Sequence, residues 1–87
     1  MREKATSNRK KHGIDFHEAA TVLKDTLSTT FPDVDHSLPG ESRFVTVGMS
    51  NFGRALVVIH TDEASGVRII SARRATKHER KFYEEEQ

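Results

Sequence analysis

Val67-Arg-Ile-Ile-Ser-Ala-Arg-Arg-Ala-Thr-Lys-His-Glu-Arg-Lys-Phe-Tyr83 changes its pattern halfway along. In the first half the β-branched Val67, Ile69 and Ile70 are interleaved with Arg68 and Ser71, the composition of a strand. In the second half Thr76 stands three residues before Glu79, the spacing of a capping box. A helix is therefore expected to start at Thr76 and run towards Glu86, with the strand ending near Arg74. Arg73 and Arg74 fall at the corner between them, and Arg80, Lys81 and Tyr83 follow on the helix. Cations at a corner where amide hydrogens also point outward suit phosphate. Two arginines at a strand end suit solvent, or acids elsewhere in the chain, just as well. On a regular strand adjacent residues face opposite ways, which groups Arg73 with Ser71, Ile69 and Val67, and Arg74 with Ala72, Ile70 and Arg68. Only one of the pair then faces a ligand squarely, while the other reaches around the corner or pairs with an acid such as Glu79 or Glu84.

Upstream of this stretch, Phe44–Met49 reads as a strand and Ala55–Thr61 as a stronger one. Ser50-Asn-Phe-Gly53 between them is hairpin chemistry, the glycine supplying a positive φ. Val57 and Val58 are both apolar, which places the second strand centrally, covered on both faces. Asp62–Gly66 makes the next connection. Thr26–Phe31 has the length of a short strand that Pro32 ends, and Asp33–Glu41, with Pro39, Gly40 and a surface His36, reads as a loop. Asp15 opens a helix whose apolar stripe is Phe16, Ala19, Ala20 and Leu23, leaving His17 off it. Met1–His12 holds good helix formers. Gly13 and Ile14 suit a Schellman-type stop after it, with Lys10, Lys11 and His12 in the last turn, favourable to the helix dipole. The expected class is α+β, with two N-terminal helices, an antiparallel meander sheet of three to four strands and a C-terminal helix.

Composition bounds the rest. A chain of 87 residues makes one small domain, 1–87, and at 34% hydrophobic it buries a modest core. It has no cysteine, so disulfides, thiolate zinc sites and thiol nucleophiles are excluded. No apolar run approaches the roughly 18–20 residues of a membrane span, and no signal peptide precedes the first helix, so a cytoplasmic protein is expected. The net charge of +1 conceals blocks: +4 over residues 1–12, −5 over 13–41, +5 over 42–83 and −3 over the tail. A fold that joins the two basic blocks builds one positive face, which favours a nucleic-acid partner.

Several pieces carry a resemblance in order: Asn8-x-x-Lys11-His12-Gly13, Phe16-x-Glu18-Ala19, Phe31-Pro-Asp33 with His36, and Glu41-x-Arg43-Phe44 with Gly48. The last is Arg68-Ile-Ile-Ser-Ala-Arg-Arg-Ala-Thr-x-x-Glu79-Arg80-x-x-Tyr83. Together they span nearly the whole chain, which resembles the BrnT family, the toxin half of a type II toxin–antitoxin pair with a RelE-like fold. That family usually opens with a short strand ahead of the first helix, whereas this sequence starts inside the helix, at Met1-Arg-Glu-Lys. Either the start lies further upstream or the sheet is one strand narrower, with an edge left unpaired.

The resemblance implies a metal-independent endoribonuclease, without cofactor, that slows growth by cutting RNA. It also implies neutralisation by a cognate ribbon-helix-helix antitoxin, as a complex of two copies of each. Such chemistry needs a base for the 2′-hydroxyl proton, cations for the charge on pentavalent phosphorus, and an acid for the leaving oxygen. Arg73, Arg74 and Arg80 offer the charge clamp, because a guanidinium grips phosphate oxygens in pairs and stays charged. Lys11 and His12 are candidates for proton transfer. Tyr83 could stack on a base or orient the phosphate, and is as well suited to the core with a wet hydroxyl. His12 serves equally well as a helix cap. Lys10, Arg68, Lys77 and Lys81 complete the expected RNA-binding set, with Arg74 and Arg68 positioning RNA and Arg73 holding the phosphate. No metal-ligand spacing is present. A non-catalytic binding module, or an inactive homologue that titrates an antitoxin, are the competing functions.

Overall fold

A computed structural model of the chain describes residues 13–37, 39, 41–64 and 66–85. Helix α1 (Phe16–Val22) is followed by strand β1 (Thr29–Pro32), a 3-10 turn (Val34–His36), and strands β2 (Arg43–Met49), β3 (Ala55–Glu63) and β4 (Gly66–Arg74). Helix α2 (Lys77–Glu85) ends the described chain. All four strands run antiparallel in the order β1-β2-β3-β4, a simple meander.

Local chemistry sets these boundaries. The Asp15 carboxylate accepts the His17 amide hydrogen at 2.6 Å and starts α1. In the β2–β3 turn Gly53 takes φ +74° and its amide donates to the Ser50 carbonyl at 2.9 Å. The capping box at α2 forms in both directions: the Thr76 amide donates to Glu79 Oε1 at 2.8 Å, and the Glu79 amide to Thr76 Oγ1 at 3.2 Å.

The sheet is covered on both faces. Towards α1, Leu56, Val58 and Ala72 pack with Ile14, Ala19 and Val22, all fully buried. Towards α2, Val47 and Val57 pack with Tyr83. Adjacent Val57 and Val58 thus belong to different layers, and β3 is buried on both sides. At Gly48 the layers approach closely: an added Cβ would lie 2.8 Å from Ser28 Cβ and 3.1 Å from Val22 Cγ1, so only glycine fits without a shift.

Two expectations are corrected. Among the described residues one helix, not two, precedes the sheet, whose four strands fall within the expected three to four. The expected first helix falls on residues 1–12, outside the described residues. Ala5 is the only apolar residue between Met1 and Gly13, so the expectation of a helix there rests on propensity and not on an apolar stripe. The second correction concerns β4. Ile59 pairs with Ser71 but His60 pairs with Ile69, which leaves Ile70 as a bulge. Arg68 therefore lies opposite Thr61 and Arg73 opposite Val57 on one face, while Arg74 lies opposite Leu56 on the other. Arg68 shares its face with Arg73, the reverse of regular alternation. Among the described residues no helix is long and apolar enough to cross a membrane.

Candidate functional site

The corner between β4 and α2 is tightened by one acid. Glu79 takes both ends of the Arg73 fork, Nη1 to Oε1 at 2.7 Å and Nη2 to Oε2 at 2.8 Å, while also accepting the Thr76 amide. The Arg73 guanidinium, opposed by burial and helped by the Thr76 amide, holds the Glu79 carboxyl down at about 2. Arg73 is thereby committed to the protein itself. The capping box also occupies the Thr76 and Glu79 amides, so those hydrogens are not presented to a ligand.

Arg74, one residue on, is exposed on the α1 side of the sheet. With Arg54 from the β2–β3 hairpin and Arg80 from α2 it lines an open depression of about 270 Å³, floored by Gly53, Ala55 and Ala75. Arg80 is 62% exposed and its Nε donates to Glu84 at 3.2 Å, one turn on along the helix. Three arginines from three elements thus line one depression at this end of the sheet.

Arg54 is held there from behind. Its Nε donates to Glu18 Oε2 at 2.9 Å and its Nη2 to Glu18 Oε1. The Ser50 hydroxyl adds a bond to Glu18 Oε2 at 2.6 Å. Glu18 is 3% exposed. Its pKa is lowered by the Arg54 guanidinium above all, against burial, with help from the Ser50 hydroxyl and the nearby charge of Arg74. A buried acid that accepts from a hydroxyl and a guanidinium fixes the Arg54 fork in place. Sequence reasoning did not find Arg54, and it read Glu18 only as part of a motif near the start of α1. The available signal was an acid flanking the apolar stripe of α1, and an arginine immediately after a hairpin glycine.

Tyr83 is 6% exposed, packed on Val47 and Val57. Its hydroxyl donates to Asp25 Oδ2 at 2.7 Å, and burial together with that carboxylate pushes its pKa up to about 12. Asp25 also accepts the amides of Met49 at 2.9 Å and Leu27 at 3.0 Å, so it ties the end of α1 to β2 and α2. The structure thus places Tyr83 inside, away from the arginine depression.

Arg68 is also elsewhere. It sits near the opposite end of β4, with Nη2 3.3 Å from Glu41 and Nε 3.4 Å from Glu63. Lys77 and Lys81 lie on the exposed outer face of α2, Lys81 Nζ 4.0 Å from Glu85. Lys10, Lys11 and His12 lie outside the described residues. Of the expected set, Arg74 and Arg80 are brought together, Arg73 adjoins them from behind, and Arg68 and Tyr83 are separated from them. Near the far end of β3, His60 is buried, its Nε2 2.8 Å from Thr46 Oγ1 and its ring stacked on Phe44 at 5.9 Å.

No curated protein matches the chain. A family model described as the ribonuclease toxin, BrnT, of type II toxin–antitoxin systems matches residues 2–79, from near the start of the chain through the β4–α2 corner to Glu79. The chain belongs to that family, and is a ribonuclease toxin that acts on RNA and has a cognate antitoxin as its counterpart.

Proposed function

We propose that the depression between Arg54, Arg74 and Arg80 receives the scissile phosphate, and that the toxin cuts RNA without a metal ion. The observation that carries this is that three arginines from separate elements line one open depression, Arg54 held by the buried Glu18 and Arg80 bonded to Glu84. Charge developing on the equatorial phosphate oxygens in the transition state is what such a cluster stabilises best. In this reading the 2′-hydroxyl attacks the neighbouring phosphorus and the 5′-oxygen leaves, giving a cyclic phosphate. Lys11 and His12 serve the two proton transfers. Arg73 acts as a positioning residue, since its bonds to Glu79 hold the turn that presents Arg74. Lys10, Lys77 and Lys81 meet flanking phosphates. The antitoxin is of the ribbon-helix-helix type, in a complex of two copies of each chain, and it silences the toxin by covering this basic end.

The test uses purified toxin and a short RNA in the presence of a chelator. Cleavage should persist, and a single 2′-deoxy substitution at the cut position should abolish it. Cleavage that stops with chelator and returns with magnesium would overturn the reading.

A further inference from the structure

Helix α2 has a depression on its outer face as well. Arg80 projects towards the arginine site, while His78, Lys81, Phe82 and Glu85 line a second hollow of about 180 Å³. These four recur at the i, i+3, i+4 and i+7 spacing of one helix face. Phe82 is 40% exposed, and its ring meets that of Phe31 on β1 edge to face, centroids 6.3 Å apart and planes at 84°. Phe31 is itself 40% exposed. An aromatic pair left half in water beside a lysine, a histidine and a carboxylate is not the lining of a phosphate site, because the carboxylate repels phosphate. It has the makeup of a pocket for an unpaired base. A phenyl face stacks the ring, cations serve the adjoining backbone, and a carboxylate accepts hydrogen bonds from an exocyclic amine.

We infer that Phe82, backed by Phe31, is a stacking platform for a base of the bound RNA, and that Glu85 favours bases carrying an exocyclic amine over uracil. The inference rests on the ribonuclease reading of the arginine site and adds a second contact to it. The two sites lie on opposite flanks of one helix about 10–12 Å across. Around the exposed side of the helix the path is roughly 16–19 Å, half its circumference. At the roughly 3.4 Å spacing of stacked nucleotides, the platform receives a base about five positions from the gripped phosphate. Charge complementarity selects the occupant: Lys77 and Lys81 run along the exposed face between the two sites, where a phosphate backbone would cross.

Fluorescence anisotropy with uncleavable 2′-O-methyl oligonucleotides tests this independently of catalysis. Phe82→Leu keeps apolar volume but loses the aromatic face, and should weaken binding roughly 5- to 150-fold, the range for one stacked base. Phe82→Tyr should bind like the wild type. Glu85→Gln should shrink the preference for oligo-C over oligo-U. Circular dichroism melts verify folding of each variant. If Phe82→Leu binds RNA as the wild type does while Arg74→Ala does not, the platform is wrong and the phosphate reading stands. If Phe82→Leu loses only antitoxin binding, the surface belongs to a protein partner and the inference is overturned. If the wild type binds none of the oligonucleotides, both readings fall.

Discussion

The two ends of β4 carry the same residue type to opposite effect. At one end Arg68 lies between Glu41 and Glu63, and its charge is spent inside the protein. At the other, Arg74 opens onto a depression shared with Arg54 and Arg80. Arg73, adjacent to Arg74, behaves like Arg68: its fork is closed by Glu79. Counting cations along a strand therefore overstates the positive charge that a ligand meets. What matters is how many acids the fold brings within reach, and that is decided by register and by long-range contacts.

Breaking the comparison at its stronger end gives the largest effect. Arg74→Ala should lower the rate of RNA cleavage at saturating substrate by roughly 10²–10³-fold, the cost of removing one donor from a charge-stabilising site. Arg68→Ala should stay within about 3-fold of the wild type, since a paired arginine far from the site acts only on stability. Single-turnover cleavage of one RNA by both variants decides the matter, and equal losses would erase the distinction between the two ends.

Arg73 should sort with stability. Arg73→Ala is expected to cost about 1–2 kcal/mol at neutral pH, discounted for the partial exposure of the pair. The pH dependence gives a sharper signature. Glu79 has its carboxyl lowered from 4.5 to about 2, so its contribution is fully present above about pH 4.5 and is lost as pH falls towards 2. Urea melts of wild type and variant should differ above pH 4.5 and converge near pH 2. A gap that stays constant across this window would mean that the ion pair is not its source.

Tyr83 is a weaker lever. Tyr83→Phe removes the donor to Asp25 and should cost about 1 kcal/mol in a denaturant melt while leaving cleavage near the wild-type rate. A folded Tyr83→Phe variant without activity would bring the tyrosine back to the site. The smallest expected change is in salt dependence. For single-stranded RNA the log–log slope is about −0.7 per phosphate neutralised, so Arg74→Ala should flatten it by about that amount and Arg68→Ala should not alter it.

The parts of this molecule that could be read from the sequence are those set by neighbours in the chain. Ser50 to Gly53 and the apolar runs beside them specify a hairpin within a few residues, and Thr76 with Glu79 specifies a helix start across three. Both hydrogen bonds of that capping box are present. Of the stripe expected on α1, Ala19 is fully buried and Leu23 packs against the same core, while Ile14 and Val22, outside that stripe, fill the rest of it. What could not be read depends on distant partners. Glu18 meets Arg54 across 36 residues of sequence, and although each stands out locally, nothing near either one specifies the other as its partner. The possible pairing of an arginine with Glu79 was within view, because six residues separate them, yet which arginine it would be depended on the geometry of the corner. The faces of β4 differ from those that regular alternation gives because alternation is a count along the strand, and the count fails at Ile70.

That extra residue gives the strand a parity. A chain shorter by one position at Ile70 would pair regularly and still keep Arg68 and Arg73 on one face, whereas a chain of the same length without the bulge would put them on opposite faces. The bulge, and not only residue identity, is thus inherited information about the site. Two sequences aligned without a gap there can present different arginines to RNA, and two that differ by a single-residue gap can present the same ones.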